Sequence, residues 1–349
     1  MYLFHNDYNQ LCHSSIIERM TALQTESETG YGLDQHCETA ANLIRKKCER
    51  DDLAIHFLVG GTQTNLTVIA ASLRPHQAVL AAHSGHINVH ETGAIEATGH
   101  KVVAVASDDG KICAQQILDV AHAQENDESA EHAVQVKMVY ISNSTELGTT
   151  YTLAELEAIS DACKKSGFYL FLDGARLGYA LSAKSNDISL ADYARLCDVF
   201  YIGGTKCGAM IGEAVVISNP SIAKDFRYLI KQRGAMLAKG WILGLQFEVL
   251  FENDLYYAIT AHANNMADKL RSVLAELNYS LLVPGDTNQV FPVLPNDLLE
   301  KLSFDFTFLR QEQIDDNHTA VRFCTSWATD ENAINALCQA IRDYNVGRV

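Results

Sequence analysis

The sequence predicts an α/β protein with a large domain, in which helices sandwich a mostly parallel sheet, and a smaller C-terminal α+β domain. Two observations support this prediction. From about residue 53, short apolar runs alternate with helix-like segments, a pattern typical of strands that are buried on both faces of a parallel sheet. Beyond Glu213 this alternation ends, and long apolar helices precede shorter mixed elements. We place an N-terminal arm and the large domain at residues 1–245 and the small domain at residues 246–349.

Apolar runs bounded by turn residues predict the strands of the large domain. They are AIHFLV (54–59), QAVLAA (77–82), KVVAVA (101–106), VKMVYIS (136–142), FYLFLD (168–173) and CDVFYIGG (197–204). Helices are predicted between them, for example at TQTNLTVIAASLR (62–74) and INVHETGAIEATG (87–99). The segment LAELEAISDACKKSG (153–167) is amphipathic and ends at a glycine, which is typical of a helix with a C-terminal cap.

The second part of the chain has longer helical patterns. GAMLAKGWILGLQFEVLF (234–251) and YYAITAHANNMADKLRSVLAELNY (256–279) predict a continuous helix that joins the two domains. NQVFPVLP (288–295) and AVRFCTSW (320–327) then alternate with the helix-like NDLLEKLS and with the amphipathic DENAINALCQAIRDY (330–344). This alternation favours an α+β domain.

Composition limits the classes of partner. The 349 residues include 27 basic and 43 acidic side chains, a net charge of −16, which argues against binding to nucleic acid or to an anionic membrane. No apolar run approaches the roughly 20 residues of a membrane helix, and the N-terminus lacks the pattern of a signal peptide. Nine cysteines show neither C-x-x-C nor metal-ligand spacing. We therefore expect a soluble, cytoplasmic protein without a metal site.

A glycine turn follows the first predicted strand. Gly60, Gly61 and Thr62 lie between that strand and a helix, where free backbone N–H groups and the helix dipole favour an anion such as phosphate. The same turn also fits an ordinary tight connection. It is not G-x-G-x-x-G, and no G-x-x-x-x-G-K-[ST] occurs in the chain, so a nucleotide site has little support.

Asp173 and Lys206 end two other predicted strands, where function lies in open α/β sheets. Asp173 either caps a helix, pairs with Arg176, or holds a proton on a ring nitrogen, as pyridoxal phosphate (PLP) requires. Lys206, in GGTKCG, is either a surface residue or a desolvated amine that attacks an aldehyde. A phosphate turn, an aspartate, and a lysine 33 residues later together favour PLP. His86 and His90 are either ordinary polar residues or candidates to stack on its ring.

Three segments resemble one known family. FLVGGTQTNLTVIAASLRPHQAVLAAHSGHINVHETGAIEATGHKV (57–102), FLDGARLGYAL (171–181) and GGTKCGAMIGEAVVI (203–217) are similar to low-specificity L-threonine aldolases of the β-eliminating lyase superfamily. The resemblance extends from NDY (6–8) and GYGLD (30–34) to AVRF (320–323). It implies the type I fold of PLP-dependent transferases. It also implies cleavage of L-threonine, L-allo-threonine or related β-hydroxy-α-amino acids to glycine and an aldehyde.

The resemblance also implies the roles of the cofactor-binding residues. Lys206 would form the internal aldimine with PLP, and Asp173 would hold the pyridinium nitrogen. Arg176 would lie against the phenolic oxygen of the cofactor, and His86 would stack on its ring. Gly60, Gly61 and Thr62 would hold the phosphate, and Thr205 also belongs to the cofactor-binding set.

Substrate contacts are implied in the same way. Arg322 would grip the substrate carboxylate with help from Asn6, which replaces a serine common in the family. Tyr31 lies in a segment that the family uses across a subunit interface, which implies a homodimer or homotetramer with its active site there. Where some relatives have a histidine, the chain has Glu146 in NSTELG (143–148). His86, Glu146 and an ordered water therefore remain candidates for the base.

Other functions remain open for this sequence. The closest alternative is another PLP-dependent reaction on the same scaffold, such as β-elimination or transamination of an amino acid. A non-catalytic PLP-fold binding protein would have no reason to retain the lysine, the aspartate and the glycine turn together. A nucleotide-binding enzyme comes third.

Overall fold

The computed structural model describes residues 1–346, and a seven-stranded sheet lies at its centre, in the order β2-β8-β7-β6-β5-β3-β4. Within this sheet only β8 runs antiparallel to its neighbours. The strands of the chain are β1 (Tyr2–Leu3), β2 (Ala54–Leu58), β3 (Gln77–Ala82), β4 (Val102–Val105), β5 (Gln135–Ser142), β6 (Tyr169–Asp173), β7 (Val199–Gly203), β8 (Glu213–Ile217), β9 (Gln289–Val290), β10 (Val293–Pro295), β11 (Phe306–Thr307), β12 (Leu309–Gln313) and β13 (His318–Cys324).

Helices cover both faces of this sheet, because successive strand residues point to opposite sides and both sides are apolar. One core contains Leu172 and Phe200, and the core on the other face contains Phe171 and Val199. The α-helices are α1 (Ser14–Ala22), α2 (Gln35–Cys48), α3 (Gly61–Ser72), α4 (His86–Val89), α5 (Ala114–Glu125), α6 (Leu153–Ser166), α7 (Leu177–Leu181), α8 (Leu190–Leu196), α9 (Pro220–Ala223), α10 (Phe226–Gln232), α11 (Trp241–Phe251), α12 (Leu255–Glu276), α13 (Asn296–Leu302) and α14 (Glu331–Val346).

The six predicted strands of the large domain coincide with β2 to β7 within two residues at each end. The helix predicted at 153–167 is α6, which begins with a capping box between Thr152 and Glu155. Its cap, Gly167, is left-handed with φ 65°, a conformation that glycine adopts at little cost. Local pattern and tertiary structure agree in these elements.

Two helix predictions are wrong. Residues 87–99 form only the end of α4 and a short 3₁₀ turn, because Gly93 and Gly99 have φ values of 72° and 93° and end the helical pattern. The continuous helix between the domains is also interrupted. Helix α11 starts at Trp241, and Asn253 and Asp254 are left-handed between α11 and α12, a conformation that these two residue types tolerate better than most.

A second, smaller sheet lies towards the C-terminus. Strand β13 pairs antiparallel with β10, β12 and β9, and its core side packs on α12, α13 and α14. The N-terminus contributes Phe4 to this core, and β1 pairs with β11. Phe247, in contrast, packs in the core of the large sheet. The boundary at residue 245 stays a prediction.

Within residues 1–346, no helix is both long and apolar enough to cross a membrane. The same residues contain no group of three or more His, Cys, Asp or Glu side chains that could hold a metal ion.

Candidate active site

A cavity of about 320 Å³ opens at the carboxyl ends of the central parallel strands. Strand ends converge there because parallel strands that are linked by helices all finish at the same edge of the sheet. Nine of the residues predicted for the site line this cavity: Gly60, Gly61, Thr62, His86, Glu146, Asp173, Arg176, Thr205 and Lys206.

The glycine turn forms one wall of the cavity. Strand β2 ends at Leu58, and Gly60 is the extended N-cap of the 12-residue helix α3. No side chain caps this helix, so N–H groups of its first turn remain available to an anion. The absence of a side chain at Gly61 lets the backbone lie close to β7, because an added Cβ would be 3.1 Å from the Tyr201 hydroxyl. The turn therefore suits a phosphate group.

Asp173, at the end of β6, is held by three donors. The Tyr140 hydroxyl donates to Oδ2 at 2.5 Å, the Asn65 amide donates to Oδ2 at 3.1 Å, and the Ala175 N–H donates to Oδ1 at 2.9 Å. Burial alone would raise the pKa of Asp173, but the charge of His86, the Tyr140 and Tyr201 hydroxyls and the Ala175 N–H hold that pKa below its usual value. Asp173 is therefore an ionised carboxylate that can keep a proton on a ring nitrogen.

Arg176 does not pair with Asp173, which was one alternative from the sequence. Its Nε donates to Asp7 Oδ2 at 2.7 Å and its Nη2 donates to Asp7 Oδ1 at 3.0 Å. Asn288 also donates to Asp7, at 2.9 Å. Burial would raise the pKa of Asp7, but the charges of Arg176 and Lys206 and the two donors lower it to about 2. Sequence reasoning missed Asp7 as a site residue, although it adjoins Asn6.

Lys206 follows β7 and faces the cavity. Desolvation and the nearby charge of Arg176 lower the pKa of Lys206, against the opposing charges of Asp7 and Asp173. Within the described chain, no carboxylate lies within 4 Å of Nζ. A lysine with a lowered pKa and no ion pair can present a neutral amine, as attack on an aldehyde requires.

Glu213 is a second residue that sequence reasoning missed. It begins β8 opposite Gly203, and its Oε2 accepts the Gly204 N–H at 3.0 Å. Burial raises the pKa of Glu213 to about 8, opposed by Thr205 and Lys206. The available signal was an acidic residue at the start of the apolar run 213–217. Only the antiparallel direction of β8 brings that start to this edge of the sheet.

His86 and Glu146 are hydrogen-bonded neighbours in the lining of the cavity. The His86 N–H and the Ser142 hydroxyl both donate to Glu146 Oε1, at 3.0 and 2.8 Å. Burial, followed by the charge of Asp173, raises the pKa of Glu146, which favours its neutral acid. His90 does not line the cavity, although its ring centroid lies 5.6 Å from that of His86.

The three predicted substrate-binding residues lie outside the lining of this cavity. Asn6 is buried, and its Oδ1 accepts the N–H of Tyr8, a residue that does line the cavity. Arg322, on β13, donates to the His5 carbonyl at 3.2 Å. Tyr31 is half-exposed beside a separate cavity of about 390 Å³.

The fold and this cavity define a class of protein. The chain belongs to the beta-eliminating lyase family, whose model matches residues 12–296. It is therefore a lyase, and PLP dependence follows from the family. The resemblance found in the sequence is confirmed.

Individual relatives are more specific. The chain is 31% identical to the low-specificity L-threonine aldolase of Pseudomonas sp. (strain NCIMB 10558), with 90% of each sequence covered. It is 29% identical to the corresponding Pseudomonas aeruginosa enzyme, with 95% of each covered. A Leishmania major threonine aldolase structure is 48% identical, with a TM-score of 0.96 over 99% of each chain.

A more distant structure bears on the fold alone. Aspartate aminotransferase from Thermus thermophilus is 14% identical and has a TM-score of 0.69, over 98% of this chain and 91% of its own. The predicted type I fold is confirmed.

Proposed function

We propose that the chain is a PLP-dependent aldehyde-lyase that cleaves L-threonine, L-allo-threonine or a related β-hydroxy-α-amino acid to glycine and an aldehyde. One observation carries the proposal. Lys206, the ionised Asp173 and the uncapped N-terminus of α3 face a single cavity. An amine, an acid for a ring nitrogen and a phosphate site are the three groups that hold PLP. Relatives of matching length are named threonine aldolases.

In this proposal, each wall of the cavity holds one part of the cofactor. Lys206 is the covalent attachment residue, Asp173 binds the ring nitrogen, and Arg176 lies beside the phenolic oxygen. Gly60, Gly61, Thr62 and Thr205 hold the phosphate, and His86 stacks on the ring. When bound, PLP supplies an electron sink for the pair released at the substrate Cα.

Arg322 binds the substrate carboxylate in this proposal, and Asn6 assists. Among residues 1–346, the guanidinium of Arg322 contacts the His5 carbonyl at 3.2 Å and Gln289 at 3.4 Å, and its Nε is buried without a partner. Burial, followed by the charges of His86 and Arg322, lowers the pKa of His90. Arg322 therefore lies within electrostatic reach of the histidine side of the cavity, and a carboxylate would be a better partner than a carbonyl.

Two side chains are placed to handle the substrate hydroxyl. His86 can accept its proton, and Glu146, whose raised pKa favours the acid, can donate a hydrogen bond to the same oxygen. Proton transfer by a positioned side chain typically contributes about 10²–10⁴ to the rate. An ordered water in this position would be the third candidate.

We also propose a homodimer or homotetramer in the cytoplasm, with Tyr31 at the interface. Tyr31 and Leu33 expose 47% and 65% of their surfaces, which is typical of apolar side chains that a second subunit covers. Across the described residues, every cysteine is free, and most are buried, in accord with a reducing compartment.

The test begins with the absorbance of purified protein with PLP. We expect a band near the edge of the visible range that Lys206→Ala loses and that the exposed control Lys224→Ala keeps. L-threonine, L-allo-threonine and phenylserine should each yield glycine and an aldehyde. A Lys206→Ala variant that kept the band and full activity would contradict the assignment of the lysine.

The products also separate the alternatives. A keto acid from cysteine, with no aldehyde from the hydroxy amino acids, would identify β-elimination, and transfer of the amino group would identify transamination. PLP binding without any product would favour a binding protein. Failure to bind PLP would favour a nucleotide-binding enzyme.

A further inference from the structure

Behind His86 lies a buried carboxylate to which the proposed function assigns no role. Nδ1 of His86 lies 2.8 Å from Oε1 of Glu91, and the Glu91 side chain is completely buried. His86 itself is one-third exposed, towards the cavity. Within residues 1–346, its Nε2 has no hydrogen-bond partner. One ring nitrogen thus faces a fixed acceptor, and the other is left for a ligand.

Asn65 links this pair to the acid proposed for the ring nitrogen. The Asn65 amide nitrogen donates to Glu91 Oε1 at 2.7 Å and to Asp173 Oδ2 at 3.1 Å. Each of its two hydrogens therefore binds one buried carboxylate. Asn65 in this way separates Glu91 from Asp173 and orients both carboxylates. Helix α3 carries Asn65 one turn from the proposed phosphate site, so a single helix positions three parts of the cavity.

The contacts of Glu91 determine which nitrogen of His86 carries a proton. An ionised carboxylate has no hydrogen to donate, so its short contact with the imidazole requires hydrogen on Nδ1. In a neutral imidazole the other nitrogen then carries the lone pair. A buried carboxylate without compensating donors would be costly. Here Asn65 and His86 both supply Oε1, while Oε2 is buried without a partner among residues 1–346.

We propose that Glu91 is the positioning residue for His86: it accepts the Nδ1 proton and so holds the Nε2 lone pair towards the cavity, as the acceptor for the hydroxyl proton of the substrate. The catalytic part of this inference rests on the proposed aldolase function. The positioning part does not, because it concerns only His86, Glu91 and Asn65.

The step balances without a further reactant. The hydroxyl O–H bond breaks, its proton moves to Nε2 of His86, and its electron pair forms the carbonyl bond of the departing aldehyde. The Cα–Cβ bond breaks, and its electron pair stays on the glycine fragment. Protonation at Cα, with the proton returned from His86 or supplied by water, completes glycine. Glu91 keeps its charge throughout, and it stabilises the imidazolium that forms in between.

The first experiment reads the tautomer directly. Protein labelled with ¹⁵N in its 13 histidines is measured at pH 9, well above the usual imidazole pKa, with and without PLP. A His86→Gln variant assigns the signal. We expect hydrogen on Nδ1 and none on Nε2. Hydrogen on Nε2 in the wild-type protein would overturn the proposal, whatever the variants do and whatever reaction the enzyme catalyses.

The second experiment uses three variants. Glu91→Gln removes the charge with little change in shape, and its amide can donate to Nδ1. We expect a mixture of tautomers and a fall in kcat of at least about tenfold, with KM for the amino acid and affinity for PLP little changed. Glu91→Asp keeps the carboxylate and should restore part of the single tautomer and part of kcat. Glu96→Gln makes the same charge change at an exposed position of the same segment, and it should leave the His86 tautomer and kcat unchanged.

The outcomes separate this inference from the function itself. Wild-type tautomer and wild-type kcat in Glu91→Gln would overturn the positioning role, while aldolase activity of the parent protein would stand. Loss of kcat in Glu91→Gln without any change of tautomer would also overturn it. If the parent protein cleaved no β-hydroxy amino acid, the proposed function would fail, and the tautomer measurement would still test the positioning by Glu91.

Discussion

The ion pair between Asp7 and Arg176 allows a quantitative prediction. Both side chains are buried, and the pair is bidentate, at 2.7 and 3.0 Å. The change Asp7→Asn keeps the size of the side chain but removes its charge, so the guanidinium of Arg176 stays buried without a counter-ion. We expect a large loss of stability, because breaking a buried pair from one side typically costs about 3–5 kcal/mol.

This free energy translates into a melting temperature. A chain of 349 residues has an unfolding entropy of about 0.7 kcal/mol/K. The loss therefore corresponds to a fall in Tm of about 4–7 °C. The effect depends on pH, because the pKa of Asp7 falls from 3.8 to about 2 on folding. The resulting stabilisation is complete above about pH 4 and disappears as the pH falls from about 4 to about 2.

The assay is thermal unfolding of both proteins at pH 7 and at steps down to pH 2. A matched control is Asp52→Asn, since Asp52 forms the same fork with Arg50, at 2.6 and 3.0 Å, on the exposed surface. Exposed pairs contribute little, so this control should melt almost as the parent does. Equal Tm values for the two variants at pH 7, or a difference for Asp7→Asn that did not shrink as the pH fell from about 4 to about 2, would refute the reasoning.

Three further predictions concern the cavity. Asp173→Asn should lower kcat about 10²–10³-fold, the usual loss when one preorganised electrostatic partner is removed, and an unchanged kcat would contradict the role of Asp173 at the ring nitrogen. Glu213→Gln should stabilise the protein without cofactor by up to about 4 kcal/mol at pH 8 and by almost nothing near pH 4.5. The reason is that folding raises the pKa of Glu213 to about 8, so the carboxyl group destabilises the folded state increasingly as the pH rises above its usual pKa. Equal melting temperatures of variant and parent at pH 8 would count against this. Gly174→Ala should prevent folding, because the added Cβ would lie 1.8 Å from the Tyr201 carbonyl oxygen. Gly60→Ala should fold, because its Cβ would meet no atom within 4 Å. Circular dichroism of the two variants distinguishes a folded from an unfolded protein.

The proposed cofactor site could be inferred from sequence because the residues assigned to it lie at the ends of strands. Gly60, Asp173 and Lys206 each follow an apolar run, and parallel strands finish at one edge of the sheet. Their convergence therefore follows from the fold class. The helix at 87–99 could not be predicted correctly, because glycine backbone conformations override an amphipathic pattern.

The sequence by itself determined the strands of the large sheet, the order of the residues proposed to bind PLP, and the family, since these depend on patterns within short segments. Only the tertiary structure decided which groups surround those residues. Asp7 meets Arg176 across 169 positions of the chain, and Glu213 reaches the cavity because β8 runs antiparallel between β2 and β7. The bridge from Glu91 through Asn65 to Asp173 likewise joins three separate segments. The physical reason is that register, strand direction and packing, which no local pattern encodes, determine which buried charges become neighbours.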